Sequence, residues 1–361
     1  MSTLKVGALQ GISASSDAIT LANDGTCTAN LTNKPNRNLI INGAMLVAQR
    51  GTSSTSSGYQ ALDRFRVDFS GTDEAPTISQ ADVASGTTPY TLGFRKTLKV
   101  TNGNQTSGAG AGDYIFIRTI LEAQDIANSG WNYVSSSSNI TLSFWVKSSV
   151  AQNFYGYLRS IDGTSQLYPF ETGSLTADTW TKITKTIPGA SNVQFDNDAN
   201  GGLEVVVAPF WGTDYTGSVS LNAWAAYASA TRTPDSTATW YTTNDATFEI
   251  TGVQLEVGSV ATDFEHRSFA QELALCQRYC NALMSYGSGD TNGNTLYNAD
   301  YAGGNGMVRM SIPRMRLIPT LTYSIYGGSI TYNFSSFDLL QLFDSGDSNF
   351  YIYDVLCEAE L

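Results

Sequence analysis

The chain has 361 residues, and 20 Lys+Arg against 32 Asp+Glu give it a net charge of −12. Clustered Lys and Arg are what grip a phosphate backbone, so a nucleic-acid partner is excluded. Charged residues make up 14% of the chain, against ~25% in an average globular protein. Ser and Thr fill about a fifth of it, supplying strand formers and turn formers. With 42% hydrophobic residues, 19 Tyr, 16 Phe and 6 Trp, the chain has material for real cores. It reads as mainly β.

The opening MSTLKVGALQGISASSDAIT holds no apolar run of signal-peptide length. No stretch approaches the ~18 apolar residues of a membrane span. The expectation is synthesis in a cytoplasm without a signal peptide, and no membrane insertion. Cys27, Cys276, Cys280 and Cys357 do not make a disulfide framework. The single histidine, His266, weighs against His-based catalysis and His-rich metal sites and reads as structural.

In chain order, residues 1–37 alternate in TLKVGAL and SDAITLAND, turn at Asn23-Asp24-Gly25 and end in the linker Lys34-Pro35-Asn36-Arg37. This arm is too small to bury a core of its own and is expected to be ordered only when docked. Residues 38–267 then run strand after strand: NLIINGAMLVAQ, ALDRFRVDF, FRKTLKVT, GDYIFIRTIL, ITLSFWVKSS, FYGYLRSI, TWTKITKTI, LEVVVAPFW and ATFEITGVQLEV. In ITLSFWVK, Leu142, Phe144 and Val146 share one face and Ser143, Trp145 and Lys147 the other, a half-buried strand. Such runs between Gly/Asn/Asp/Ser turns predict a jelly-roll β-sandwich.

Residues 268–361 open with one helix, from Ser268 to about Met284, capped by a Ser268–Gln271 box. Phe269, Leu273, Cys276, Cys280 and Leu283 recur along it as a stripe that either packs on a sheet or forms a self-association seam. After the loop Ser285 to Asn294, GMVRMSI, LTYSIYG, SITYNF and FYIYDVL predict a small C-terminal β domain. Arg309, Arg314 and Arg316 make a basic spot read as a solvated strand face.

Two sets of residues carry the candidate chemistry. Trp145, Trp211, Tyr215, Trp224 and Tyr241, with Trp240, offer aromatic faces on which a sugar ring can stack, or else serve as packing. Asp196-Asn197-Asp198-Ala199-Asn200-Gly201 matches the first half of a calcium loop, with Asp196, Asp198 and Asn200 as alternate oxygen ligands. Val207 stands where an EF-hand needs its bidentate Glu, so the motif suggests a structural Ca2+ or a plain turn. Nothing calls for another cofactor, and neither a Gly-x-Ser-x-Gly elbow nor a Ser-His-Asp order appears.

NLIINGAMLVAQRG, ALDRF, ITLSFWVKSS, TWTKITKTIPG and ITGVQLEVGSVATDFEHRSFAQELALCQRYC, in this order, resemble a family of tailed-bacteriophage appendage proteins. Its members are tail-fibre-like virion proteins whose central part is similar to a carbohydrate-binding-module jelly roll. The resemblance implies a virion location, an N-terminal arm that anchors to other virion proteins, a homotrimer, and contact with host surface polysaccharide. The expected role is a non-enzymatic appendage subunit. A purely structural adaptor or decoration protein and a tailspike depolymerase are the alternatives.

Overall fold

A computed structural model of the chain describes residues 6–10, 12, 19–21, 27–29, 35–283, 299–301, 305–326, 330–344 and 351–361. Three short strands lead, β1 (Ala8–Leu9), β2 (Ile19–Leu21) and β3 (Cys27–Ala29), paired in that order. The Asn23-Asp24-Gly25 turn lies outside the described residues, as does the Ser285 to Asn294 loop. There follow β4 (Ser53–Ser54), β5 (Arg66–Ser70), β6 (Thr77–Asp82), the turn α1 (Thr88–Thr91), β7 (Lys96–Thr101), β8 (Tyr114–Glu122) and α2 (Ala123–Ala127). Next come β9 (Asn139–Ser148), β10 (Asn153–Ser160), β11 (Gln166–Ser174), β12 (Thr181–Pro188), β13 (Gly201–Trp211), β14 (Ala225–Ala226), α3 (Thr239–Thr242) and β15 (Thr247–Val257). The chain continues through α4 (Phe269–Gln277), β16 (Cys280–Leu283), β17 (Ala299–Tyr301), β18 (Asn305–Ser311), β19 (Thr320–Tyr326), β20 (Ile330–Ser336), β21 (Leu339–Asp344) and β22 (Tyr351–Glu358). Among the described residues no helix is long and apolar enough to cross a membrane.

Two six-stranded antiparallel sheets, β14-β11-β10-β13-β8-β5 and β12-β9-β15-β7-β6-β4, pack face to face. Their strands pair as one folded ribbon, β7 with β15, β8 with β13, β9 with β12 and β10 with β11. Winding that ribbon around a core is the jelly roll, two Greek keys sharing one sandwich. The mainly β fold expected from the sequence is the one observed. Leu142, Phe144 and Val146 of β9 point inward and are fully buried in one core with Phe154 and Phe170 of the facing sheet and Phe248 of neighbouring β15.

Two local expectations are corrected and one strand is added. Residues 38–49 form no strand. Asn42 Nδ2 donates to Val47 O and Asp63 O while Asn42 Oδ1 accepts from Val47 N, so one side chain replaces a ladder. β11 escapes the pattern because Pro169 interrupts it, and Pro is disfavoured inside a sheet. The helix from Ser268 has the predicted capping box but ends at Gln277. Tyr279 then closes a turn onto Cys276 O, and Cys280 and Leu283 belong to β16, paired with Glu358 and Val355 of β22. The five-residue stripe is therefore not one helical face. The buried residues of α4 are Glu272 and Cys276, while Phe269 is exposed.

The turn at Tyr279 also joins α4 to the sandwich. Glu122 is fully buried and accepts from Arg278 Nε (2.7 Å), Arg278 Nη2 (2.8 Å) and Tyr279 Oη (2.7 Å). Burial pushes its carboxyl up, but these bonds outweigh burial and hold it below the usual carboxylate range. Arg50 meets Glu358 and Glu360 at 2.8 and 2.9 Å, and Arg64 pairs with Glu360 beneath the Tyr279 ring. Arg316, expected on a solvated face, instead donates to Ala359 O, Glu360 O and Ala199 O. Arg314 is exposed, and the Arg309 side chain lies outside the description. Cys276, Cys280 and Cys357 are free and buried, and burial pushes each thiol up.

Candidate functional site

The structure scatters the predicted aromatic residues. Tyr241 is fully buried, stacked on Phe210 at 4.3 Å, and Trp240 beside it donates to Thr247 O. Trp211 is 1% exposed on the outer face of the β8-containing sheet, stacked on Phe116 at 4.6 Å and covered by the Arg232 guanidinium. Tyr215 is half-buried against that cluster. Trp224 is half-buried near Tyr168, its Nε1 tied to Pro188 O at 2.7 Å. Trp211 and Tyr241 offer no free ring face, so the five residues do not make one platform.

Trp145 is different. Strand alternation puts it on the outer face of the second sheet, between Lys182 of β12 and Thr251 of β15. β15 bulges between Thr251 and Gln254, and Gly252 in the bulge has φ +63°. A Cβ there would lie 2.7 Å from Phe94 Cζ and 3.2 Å from Trp145 Cδ1, so only glycine lets the two rings come this close.

Residues 258–267 leave β15 and double back across the same face as a strap. Gly258 O accepts from Thr141 Oγ1 and Ser259 O from Thr186 Oγ1. The buried Glu256 carboxylate accepts from Thr262 N (2.8 Å) and Thr262 Oγ1 (2.7 Å). Gln254 accepts from Glu265 N at 2.8 Å. The strap carries Phe264 and His266 to Phe94, with ring centroids 4.9–5.1 Å apart, and His266 Nε2 bonds Leu92 O at 2.8 Å.

Trp145, Phe94, Phe264 and His266 thus wall a cavity of about 240 Å³, with Ser143, Lys182, Thr262 and Asp263 as its polar lining. Aromatic walls with a few polar groups are what a small polar ring with one apolar side requires. The cavity, at about 240 Å³, lies below the ~300 Å³ at which pockets for drug-sized ligands begin and has room for a single ring. Sequence reading finds Trp145 through the period of two. It misses Phe94, Phe264, Lys182 and the role of His266, because these come from separate segments joined only by the fold.

The Asp196–Gly201 loop sits elsewhere. One Asp198 carboxylate oxygen accepts from Asn200 N (2.9 Å) and the other from Asn200 Nδ2 (2.6 Å). Asp196 N donates to Asp162, whose carboxyl is pushed up by burial and by Asp196 and Asp198 nearby. Among the described residues no three His, Cys, Asp or Glu side chains are grouped to hold a metal.

No protein-family model matches the chain, and no curated protein matches it in sequence. In structure it is similar, over 62% of its length, to the enzymatically active domain of tailspike protein 4 of bacteriophage CBA120, at 10% identity and a TM-score of 0.34. It spans only 22% of that tailspike chain. Over 60% of its length it is similar to the N-terminal cellulose-binding domain of Cellulomonas fimi β-1,4-glucanase C, at 10% identity and a TM-score of 0.28, covering 99% of that chain. The family 11 carbohydrate-binding module of a Clostridium thermocellum cellulosomal cellulase gives 12% identity and a TM-score of 0.27, with 60% and 98% of the two chains covered. At these TM-scores the likenesses carry no argument, and the sandwich stands on its own strand pairing.

Proposed function

We propose that the chain is a glycan-binding subunit of a phage particle appendage that holds a host surface sugar against Trp145. The observation that carries this reading is the cavity of about 240 Å³ walled by Trp145, Phe94, Phe264 and His266 and held open by the Glu256-anchored strap. An indole face offers apolar area to the C–H side of a pyranose, while Ser143, Lys182 and Asp263 stand where hydroxyls can bond. The lining holds a single carboxylate, Asp263, whereas glycoside hydrolysis works with two, which favours binding over cleavage. The virion role rests on the sequence resemblance. Residues of the arm support attachment through it: Leu9 is 49% exposed and Ile12 fully exposed, apolar surface left for a partner. If copies assemble into a trimer, the five-residue stripe does not serve as one helical seam, because Cys276 and Cys280 are buried within the chain. A glycan array is the test, with loss of the retained glycans in Trp145→Ala expected. Retention by the variant at wild-type level would remove Trp145 from the account.

A further inference from the structure

A second, larger cavity of about 1030 Å³ lies between the 35–41 segment, α2 and α4. Its lining is of mixed character. Leu39, Ile41 and Leu275 supply apolar area, and Asp125, Asn128 and Gln271 supply amide and carboxylate groups. Asp125 is exposed and accepts no hydrogen bond among the described residues. Gln271 spends its Oε1 on Ser268 in the capping box, leaving its Nε2 for a ligand.

The two cavities share a wall. Along the strap, Asp263, Phe264 and His266 line the Trp145 cavity, and Glu265, His266 and Arg267 line the larger one. His266 lines both and is itself exposed. The strap is fixed on either side, by Glu256 and Gln254 beneath and by Arg267 bonded to Asn38 O and Ile40 O beyond.

We propose that the ligand is an oligosaccharide of several units, one ring on Trp145 and the following units laid over His266 into the groove of Asp125 and Gln271. This rests on the reading of the Trp145 cavity as a sugar subsite. His266, which lines the Trp145 cavity, also lines a trough of about 1030 Å³, near the upper end of the ~300–1,000 Å³ seen for ligand clefts. Amides and carboxylates match the paired hydroxyls of successive sugars, while the leucine and isoleucine faces take their C–H edges.

The probe is an array of ladders, one to six units long, cut from plant, algal and bacterial polysaccharides, followed by titration with any ladder retained. Affinity is expected to rise about tenfold or more between two and four units, as linked subsites fill together. Trp145→Ala should remove every rung. Ala274→Arg, which fills the groove from an exposed helix position, should remove the gain of the longer rungs and leave the shorter ones. Asp125→Asn, isosteric and exposed, should lower the long-rung affinity without touching the fold. Trp145-dependent retention already complete at one unit, with both groove variants indifferent, would overturn the extended chain and leave the sugar pocket standing. Retention of no ladder at all would overturn both.

Discussion

Replacing Gly252 by alanine tests the site at the backbone position on which it depends. The residue sits at φ +63°, where an L side chain costs about 1–2 kcal/mol. Its new Cβ would lie 2.7 Å from Phe94 Cζ, and Phe94, 1% exposed between Phe264 and the sheet, has little room to move. Overpacking of this kind adds about 1–3 kcal/mol, so the sum is about 2–5 kcal/mol. For a unit of ~150–250 residues, ~2–4 °C per kcal/mol turns this into a melting-temperature drop of about 4–20 °C. Gly86→Ala is the control. Gly86 has φ +84°, with nothing within 4 Å of an added Cβ, so it carries the backbone cost alone. Differential scanning calorimetry of both variants should therefore show the larger loss at Gly252, and only that variant should weaken sugar retention. Equal losses at the two positions would refute the argument that Phe94 and Trp145 close directly over the bulge.

Three further outcomes follow from the buried charges and the acidic loop. Glu122 is held below its ordinary range by Arg278 and Tyr279, so its contribution is complete above the unfolded carboxylate value of about 4.3 and is lost as pH falls through the lowered folded value. Glu122→Gln should flatten that acid limb in pH-dependent urea melts, and an unchanged limb would assign it to other carboxylates. Glu360→Ala leaves the buried Arg64 guanidinium without its carboxylate and should cost about 3–5 kcal/mol in chemical denaturation; a loss under ~1 kcal/mol would mean the pair is solvated. Chelation with EDTA should leave the melting temperature unchanged, because Asp198 already satisfies both oxygens on Asn200. A drop that disappears in Asp198→Ala would instead establish a calcium ion there.

What the sequence disclosed and what it hid separate along a physical line. Period-two alternation reports one strand against its own sheet, so β9 and its inward residues Leu142, Phe144 and Val146 are legible residue by residue. The jelly-roll winding is legible only as a class, because the β7–β15 and β9–β12 pairings span distant segments. Residues 38–49 look like a strand by composition and are not one, since Asn42 supplies with its side chain the bonds that a neighbouring strand would give. Helical spacing continued through Cys280 on paper. Pairing of Cys280 with Glu358 is a tertiary event that no local propensity records. The candidate site divides the same way: Trp145 faces outward by alternation, whereas Phe94, Phe264 and His266 reach it through a bulge and a strap. Trp211 and Tyr241 show the converse, large aromatics whose burial the sequence leaves open.

The central claim is that a sugar ring sits on the indole of Trp145. Its most direct measurement is the titration of 15N-indole-labelled protein with a retained oligosaccharide, followed through the six tryptophan Nε1–H resonances. The account predicts a saturable shift of the resonance that vanishes in Trp145→Ala, with those of Trp211, buried on the outer face of the other sheet, and Trp240, buried in the core, left in place. A saturating titration in which the Trp145 resonance stays fixed while another tryptophan moves would contradict it.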